Sequence, residues 1–216
     1  EGLPDDIEFN PGGLAVVWAE ENSRTSIFNA LKRKEVYGTS GPRFLVRFFL
    51  GESLDTDLCN HLDAISHAYE NGVPMGATTS SNLMSTVRLF VSASADLSLE
   101  DQYIEKLQVV KGVIKNGKVD TSVHDIQTHD PTQLDINSCQ VIGTGVRSMC
   151  AVWEDPNFNQ GDEAYYYVRV VANKSCRWSH DLCLQNPSYC EQESDTKVPK
   201  FIQERAWTSP IWLENS

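Results

Sequence analysis

Two stretches of the chain bring Trp, Arg, Glu, Ser and Pro close together: Gly13–Arg43 (GLAVVWAEENSRTSIFNALKRKEVYGTSGPR) and Pro199–Trp212 (PKFIQERAWTSPIW). That mixture is the chemistry of a binding face, with aromatic walls and directional groups for hydrogen bonds and ion pairs. A plain structural reading competes with it: Glu20–Arg24 as a capped helix start and Glu204–Trp207 as an edge strand with ion pairs.

Six cysteines and five histidines offer a second chemistry. Cys176, His180, Cys183 and Cys190 spell C-x3-H-x2-C-x6-C, and thiolates with an imidazole suit tetrahedral zinc. Structural zinc sites, however, usually join two tight pairs, and a C-x2-C is missing. Disulfides fit better. Cys183 and Cys190 bracket a short loop containing Pro187, and Cys176 follows a strand from which it can reach Cys139. Cys59 and Cys150 read as buried thiols. Bridges persist only in oxidising compartments, so an extracytoplasmic location, periplasmic or secreted, is expected.

The remaining chemistry is sparse. His124-Asp125 and His129-Asp130 fall in a polar turn region and read as solvated loop, while His61 and His67 are six apart on a short helix, poorly placed to chelate together. Gly12-Gly13 and Gly143-Thr144-Gly145 lack the context of a phosphate loop. Asn173-Lys174-Ser175 is a glycosylation sequon. No catalytic residue and no metal ligand is assigned to the chain.

The elements that must position these residues are mostly β. Asn22–Lys34 reads as a helix capped by Asn22 or Ser23, with Ile27, Phe28 and Leu31 as its apolar stripe. A weaker helix is expected over Asn60–Asn71, with Leu62, Ile65 and Tyr69 on one face and Gly72 as its stop. Strands are expected at Arg43–Leu50, Thr86–Ala95, Val146–Glu154, Ala164–Ala172 and Ala206–Trp212. Asn116-Gly117 joins two more, Tyr103–Lys115 and Lys118–Asp125, as a hairpin. The polar stretch Cys176–Pro199 reads as an ordered loop held by crosslinks. The fold class is α+β, mostly β: an antiparallel β-sandwich of six or seven strands with an N-terminal helix.

A net charge of −12 argues against a nucleic-acid partner, which needs clustered Lys and Arg. The longest apolar runs, such as Phe44–Leu50, are interrupted by charge and too short to span a bilayer. Glu1–Asn10 reads as a polar connection entered from something upstream.

The chain resembles the C-terminal part of domain-of-unknown-function family 3604, relatives of the polymerase-and-histidinol-phosphatase (PHP) metal-dependent hydrolases. The two stretches above carry the resemblance together with Gly72–Gly76 (GVPMG), Ala151–Pro156 (AVWEDP), Tyr165–Val170 (YYYVRV) and Cys176–Ser179 (CRWS), in the expected order over nearly the whole chain. One departure is visible: Met75-Gly76 is followed by Ala77-Thr78-Thr79 instead of a Gly-Gly-Asp-Leu type of segment.

The resemblance implies a two-part protein. Residues 1–42 would be the linker and last helix of an upstream PHP-like barrel, and residues 43–216 the β-sandwich, with its short helix at about 60–71. The barrel would hold a divalent metal through His, Asp and Glu ligands placed before Gly12, so the chain alone is expected to be inactive. Its expected role is to shape the cleft for a small-molecule, anionic substrate such as a phosphate or sulfate ester. Glu20, Glu21, Arg24 and Ser40 would lie towards the barrel, and Arg43 would offer a fixed cation. Arg177, Trp178, Glu204, Arg205 and Trp207 would be the sandwich's contribution. The alternative is a binding or structural module whose Trp- and Tyr-rich strands grip a carbohydrate or a protein partner; a third, minor option is a stabilising lid on the barrel.

Overall fold

Strand alternation sets the architecture. Val87, Leu89, Val91 and Ala93 are buried on one side of their strand, while Arg88, Ser92 and Ser94 remain half-exposed, the period-2 pattern of a strand with one face in a core. The computed structural model describes residue 9 and residues 12–115, 117–194 and 198–215.

In chain order the strands are β1 (Leu14–Val17), β2 (Val36–Thr39), β3 (Leu45–Gly51), β4 (Val73–Pro74), β5 (Thr78–Ser80), β6 (Arg88–Ser94), β7 (Ile104–Lys115), β8 (Lys118–Thr128), β9 (Gln133–Asp135), β10 (Gln140–Ile142), β11 (Ser148–Glu154), β12 (Ala164–Cys176), β13 (Phe201–Thr208) and β14 (Ile211–Glu214). The helices are α1 (Arg24–Lys32), α2 (Ala64–Asn71), α3 (Trp178–Gln185) and α4 (Ser188–Ser194). The mostly β class therefore holds, with more strands than expected, because pieces of two to four residues are too short to show a period.

Eight strands form the large sheet. It runs β1-β2-β13-β12-β14-β5, and β7 pairs with both β12 and β8. A four-stranded antiparallel sheet, β11-β6-β3-β4, faces it. The main core lies between them, with Phe44, Phe48, Leu50, Leu89, Leu107, Tyr166 and Ile211 among its members. A smaller core of Phe49, Leu54, Leu58, Ala68 and Phe90 lies on the other side of the small sheet. There α2 supplies Ala68, with Ala64 and Ile65 packed alongside. The hairpin forms as read: its ladder closes at Lys115 opposite Lys118, around Gly117 at φ +72°.

Several expectations need correction. Helix α1 is capped by Ser23, whose Oγ accepts the Ser26 N–H at 3.2 Å, but its one buried residue is Ala30, and Phe28 and Leu31 are 62% and 51% exposed. The second helix starts only at Ala64, which leaves Leu62 fully exposed before it. Cys176–Pro199 contains α3 and α4; their positions are set by crosslinks and by burial of His180 and Cys183, without an apolar stripe to announce them. Ala206–Trp212 is two strands, broken at Ser209-Pro210. His124 sits on β8, with its ring 5.0 Å from Trp153.

The N-terminal elements are tied into the sandwich. β2 pairs with β13, and β1 with β2. Trp18 Nε1 donates to the Val46 carbonyl at 2.8 Å, and Arg47 lies 3.3 Å over the Trp18 ring.

Candidate functional site

At one end of the sandwich a cleft of about 910 Å³ opens between the two sheets. The turn Ser40–Arg43, the loop Asp96–Gln102, the last residues of β12, the first half of β13 and one side of α3 line it. Strand β12 changes register against β13 between Val171 and Lys174, a bulge of the kind that bends a strand and re-aims its side chains. Ala172, Asn173, Ser175 and Cys176 form that part of the wall.

The two chemistry-rich stretches meet here. Ser40 Oγ donates to Glu204 Oε2 across 164 residues of sequence. The Ser40 N–H donates to the Arg205 carbonyl at 2.9 Å, and the Arg205 N–H returns to Ser40 Oγ at 2.8 Å. Opposite, the Arg43 N–H donates to Asp96 Oδ2 at 2.8 Å. Asp96 Oδ1 accepts the Ser98 N–H and hydroxyl at 2.9 and 2.6 Å. Burial pushes the Asp96 carboxyl up, but the hydrogen bonds from Ser98 and Arg43 outweigh it and hold the pKa below the ordinary value. Arg147 fixes the loop by donating to the carbonyls of Asp96 and Leu99 at 2.9 and 2.6 Å.

The charge of this cleft is negative. Among the described residues, Asp96, Glu100, Asp101, Asp181 and Glu204 line it against Arg43. Such a lining repels the phosphate or sulfate ester expected from Arg43 and suits a neutral, hydroxyl-rich or cationic ligand.

The cysteines are all paired, as Cys59–Cys150, Cys139–Cys176 and Cys183–Cys190. Cys139 and Cys176 join as expected and stand in the cleft wall; Cys183 and Cys190 close their short loop. The zinc reading falls, because its three sulfurs are held in bridges. Ligand atoms of Cys139, Cys176 and His180 do lie within 4.8 Å of one another, but neither sulfur is a thiolate, and His180 Nε2 is 3.0 Å from the Ile136 carbonyl. Cys59 and Cys150, read as buried thiols, form the third bridge.

The family model described as "Protein of unknown function (DUF3604)" matches residues 3–215. The chain belongs to that family. No curated protein and no solved structure gives a match.

In this DUF3604 chain the predicted residues separate by position. Ser40, Arg43, Trp178 and Glu204 line the cleft. Arg205 and Trp207 lie on the opposite face of β13, because Glu204 and Ala206 alternate with them. Arg177 is buried; its guanidinium donates to Ser179 Oγ at 2.7 Å and to the Phe9 carbonyl at 2.8 Å, which also accepts Trp178 Nε1 at 3.0 Å. Glu20, Glu21 and Arg24 are exposed at the start of α1 and outside the cleft lining. The Glu20 and Glu21 amides donate to Ser26 Oγ at 3.1 and 3.3 Å. Asp96 and Asp181 belong to the cleft without having been singled out, and Asn173, read only as a sequon, lines it too. The Asp96-Leu97-Ser98 turn was the one local signal, a short polar side chain bonding the backbone two residues on.

Asn173 cannot serve its sequon in the folded chain. It is 2% exposed; its Oδ1 accepts the Tyr103 N–H at 2.9 Å and its Nδ2 donates to the Asp101 carbonyl at 3.0 Å. Among the described residues no helix is long and apolar enough to cross a membrane.

Proposed function

We propose that this chain is the cleft-framing, non-catalytic part of a larger metal-dependent hydrolase. The observation that carries the reading is the Ser40–Glu204 junction, which brings two distant chemistry-rich stretches to the wall of one open cleft. Ser40 holds one oxygen of Glu204 and so fixes the carboxylate as an acceptor for substrate hydroxyl or ammonium groups. Trp178 supplies an aromatic wall, Arg43 a cation, and the pinned Asp96–Gln102 loop a rigid rim. The substrate class that fits this lining is a small polyhydroxylated or cationic molecule.

In this reading the divalent ion belongs to an upstream PHP-like barrel. The described residues here do not fit it: the one group of close ligand atoms has its sulfurs in a disulfide, so no step is routed through an ion on this chain. The barrel would rest on α1, whose Phe28 and Leu31 face outward. Three disulfides support the reading that the whole lies outside the reducing cytoplasm.

The test compares this chain with the longer polypeptide that includes the barrel, against a panel of small esters with Mn²⁺, Zn²⁺ or Mg²⁺. Turnover is expected from the longer protein and none from the chain. In the longer protein Glu204→Gln is expected to raise KM about tenfold, the worth of one charge-assisted hydrogen bond, with kcat little changed. Metal-supplemented turnover by this chain alone sinks the reading.

A further inference from the structure

The face of the large sheet turned away from the core carries aromatic rings and cations together. Alternation puts Tyr165, Tyr167 and Arg169 of β12 there, with Arg205 and Trp207 of β13 and Trp212 of β14. Their neighbours Tyr166, Val168, Ala206 and Ile211 point into the core. The pairing sets Trp207 beside Arg169 and Trp212 beside Tyr165. The Tyr165 ring is 6.5 Å from Tyr167, at 14° between planes, and 5.2 Å from Trp212. Gly112 makes this possible: a Cβ there would stand 2.3 Å from the Tyr165 ring, so glycine lets the ring lie down on the sheet. Trp207 and Trp212 remain 38% and 37% exposed.

The charge here runs against the rest of the molecule. The chain carries −12, yet among the described residues Lys106, Arg169, Lys174 and Arg205 share one end of this face with Glu105 and Asp125. Asp125 is taken by Lys106 at 3.0 Å. Burial pushes the Glu105 carboxyl up, and Gln203 Nε2 donates to it at 2.9 Å. Arg169 Nε donates to Gln108 Oε1 at 2.7 Å, and its remaining N–H groups make no hydrogen bond among the described residues. At the other end Glu214 follows Trp212 on the same face, which gives the patch a basic and an acidic pole.

We infer that this face binds an acidic polysaccharide, a sugar ring stacking on Trp207 while its carboxylate or sulfate pairs with Arg169 and Arg205. The negative faces of aromatic rings attract the C–H face of a pyranose, and a guanidinium fork matches a carboxylate or sulfate. A protein partner prefers an apolar centre with a polar rim; here Arg169, held by Gln108, pairs directly across from Trp207, so that cation and ring stand side by side within the patch. The inference is independent of the cleft, since Glu204 points to the other side of β13.

The test is electrophoresis of the full chain at low salt through gels containing polygalacturonate, dextran sulfate or plain dextran. Retardation is expected from at least one of the two anionic glycans and not from dextran; which one retards tells carboxylate from sulfate. Trp207→Ala and Arg169→Gln are each expected to weaken binding about fivefold or more, Trp207→Phe to retain it, and Glu204→Gln to leave it unchanged. No retardation by either polyanion overturns the inference. So does retardation that Arg169→Gln abolishes and Trp207→Ala leaves intact, which would be charge attraction alone. A change of oligomeric state in Trp207→Ala without loss of glycan binding also overturns it, and marks a protein contact instead.

Discussion

Tyr166 donates its phenolic hydrogen to Asp155 Oδ2 at 2.7 Å, and Lys111 Nζ reaches the same oxygen at 2.6 Å. All three residues are buried. Lys111 belongs to β7, Tyr166 to β12, and Asp155 follows β11, so the trio bolts the small sheet to the large one through the core. Two of the segments that carry the family resemblance, Ala151–Pro156 and Tyr165–Val170, meet in this one contact.

Removing one partner from such a set leaves a charge buried and unpaired. Asp155→Ala is therefore expected to cost about 3–5 kcal/mol, read from the urea midpoint, and Tyr166→Phe about 1–2 kcal/mol. Burial pushes the Asp155 carboxyl up, but hydrogen bonds from Lys111, Tyr166 and the Asn157 amide outweigh it, and the folded pKa is depressed. Its stabilising contribution is then fully present above the ordinary carboxylate range and lost as pH falls through the folded value. Lys111→Met in combination with Asp155→Leu should recover most of the loss; no recovery would mean the trio acts through packing.

The three bridges should differ in what they contribute. Cys59–Cys150 closes 91 residues and Cys183–Cys190 only 7, which in the chain-entropy picture is about 4–5 against about 2 kcal/mol. Replacing each pair by Ala and comparing denaturation midpoints checks the order. A thiol titration of the denatured, unreduced chain should find none free; free thiols at Cys59 and Cys150 would restore the original reading of that pair.

What the sequence made legible was local. Ser23 announced the cap of α1, Val87–Ala93 their inward face, and Gly117 the hairpin. Short-range cysteine spacing gave Cys183–Cys190. The Cys59–Cys150 bridge escaped because a 3₁₀ turn and β11 meet only through the small sheet. The cleft was half legible for a similar reason: its residue types were visible in both rich stretches, but alternation along β13 turns Arg205 and Trp207 away from Glu204. Trp178 and Arg177 read alike in sequence, yet one lines the cleft and the other is buried against Ser179 and the backbone of Phe9.

The buried Asn173 predicts a modification that does not occur. Expressed in a glycosylating host, the chain is expected to show no mobility shift on deglycosylation, since a glycan at Nδ2 would break the bond to the Asp101 carbonyl. Asn173→Asp keeps the acceptor for Tyr103 but loses that donor, and should cost about 1–3 kcal/mol. An occupied sequon in well-folded protein would contradict this burial.

The last prediction concerns the N-terminal lock. Tyr69 of α2 donates its hydroxyl to Glu35 Oε1 and accepts from Arg47 Nη1 at 3.0 Å. Glu35, itself buried, also accepts Arg33 Nε at 2.8 Å. Burial, followed by the hydrogen bond and charge of Glu35, raises the Tyr69 pKa from 10.0 to about 12, and Arg47 works weakly the other way. A folded value above the unfolded one means that the contribution of Tyr69 is whole below pH 10.0 and is lost as pH climbs through about 12. Folding stability should therefore fall over that window, and Tyr69→Phe should flatten part of the fall; Tyr166 and Tyr37, both also raised by burial first, contribute to the remainder. In tyrosinate absorbance, fewer than all 7 tyrosines should titrate in the ordinary range while the chain is folded. Arg47→Met removes the cation from the Trp18 ring and the one group that lowers Tyr69, so its phenol should move further up as the stacking energy, about 1–2 kcal/mol, disappears. If Tyr69 titrates at its ordinary value of 10.0 in the folded protein, the link between α2, β3 and the N-terminal strands is not the one described.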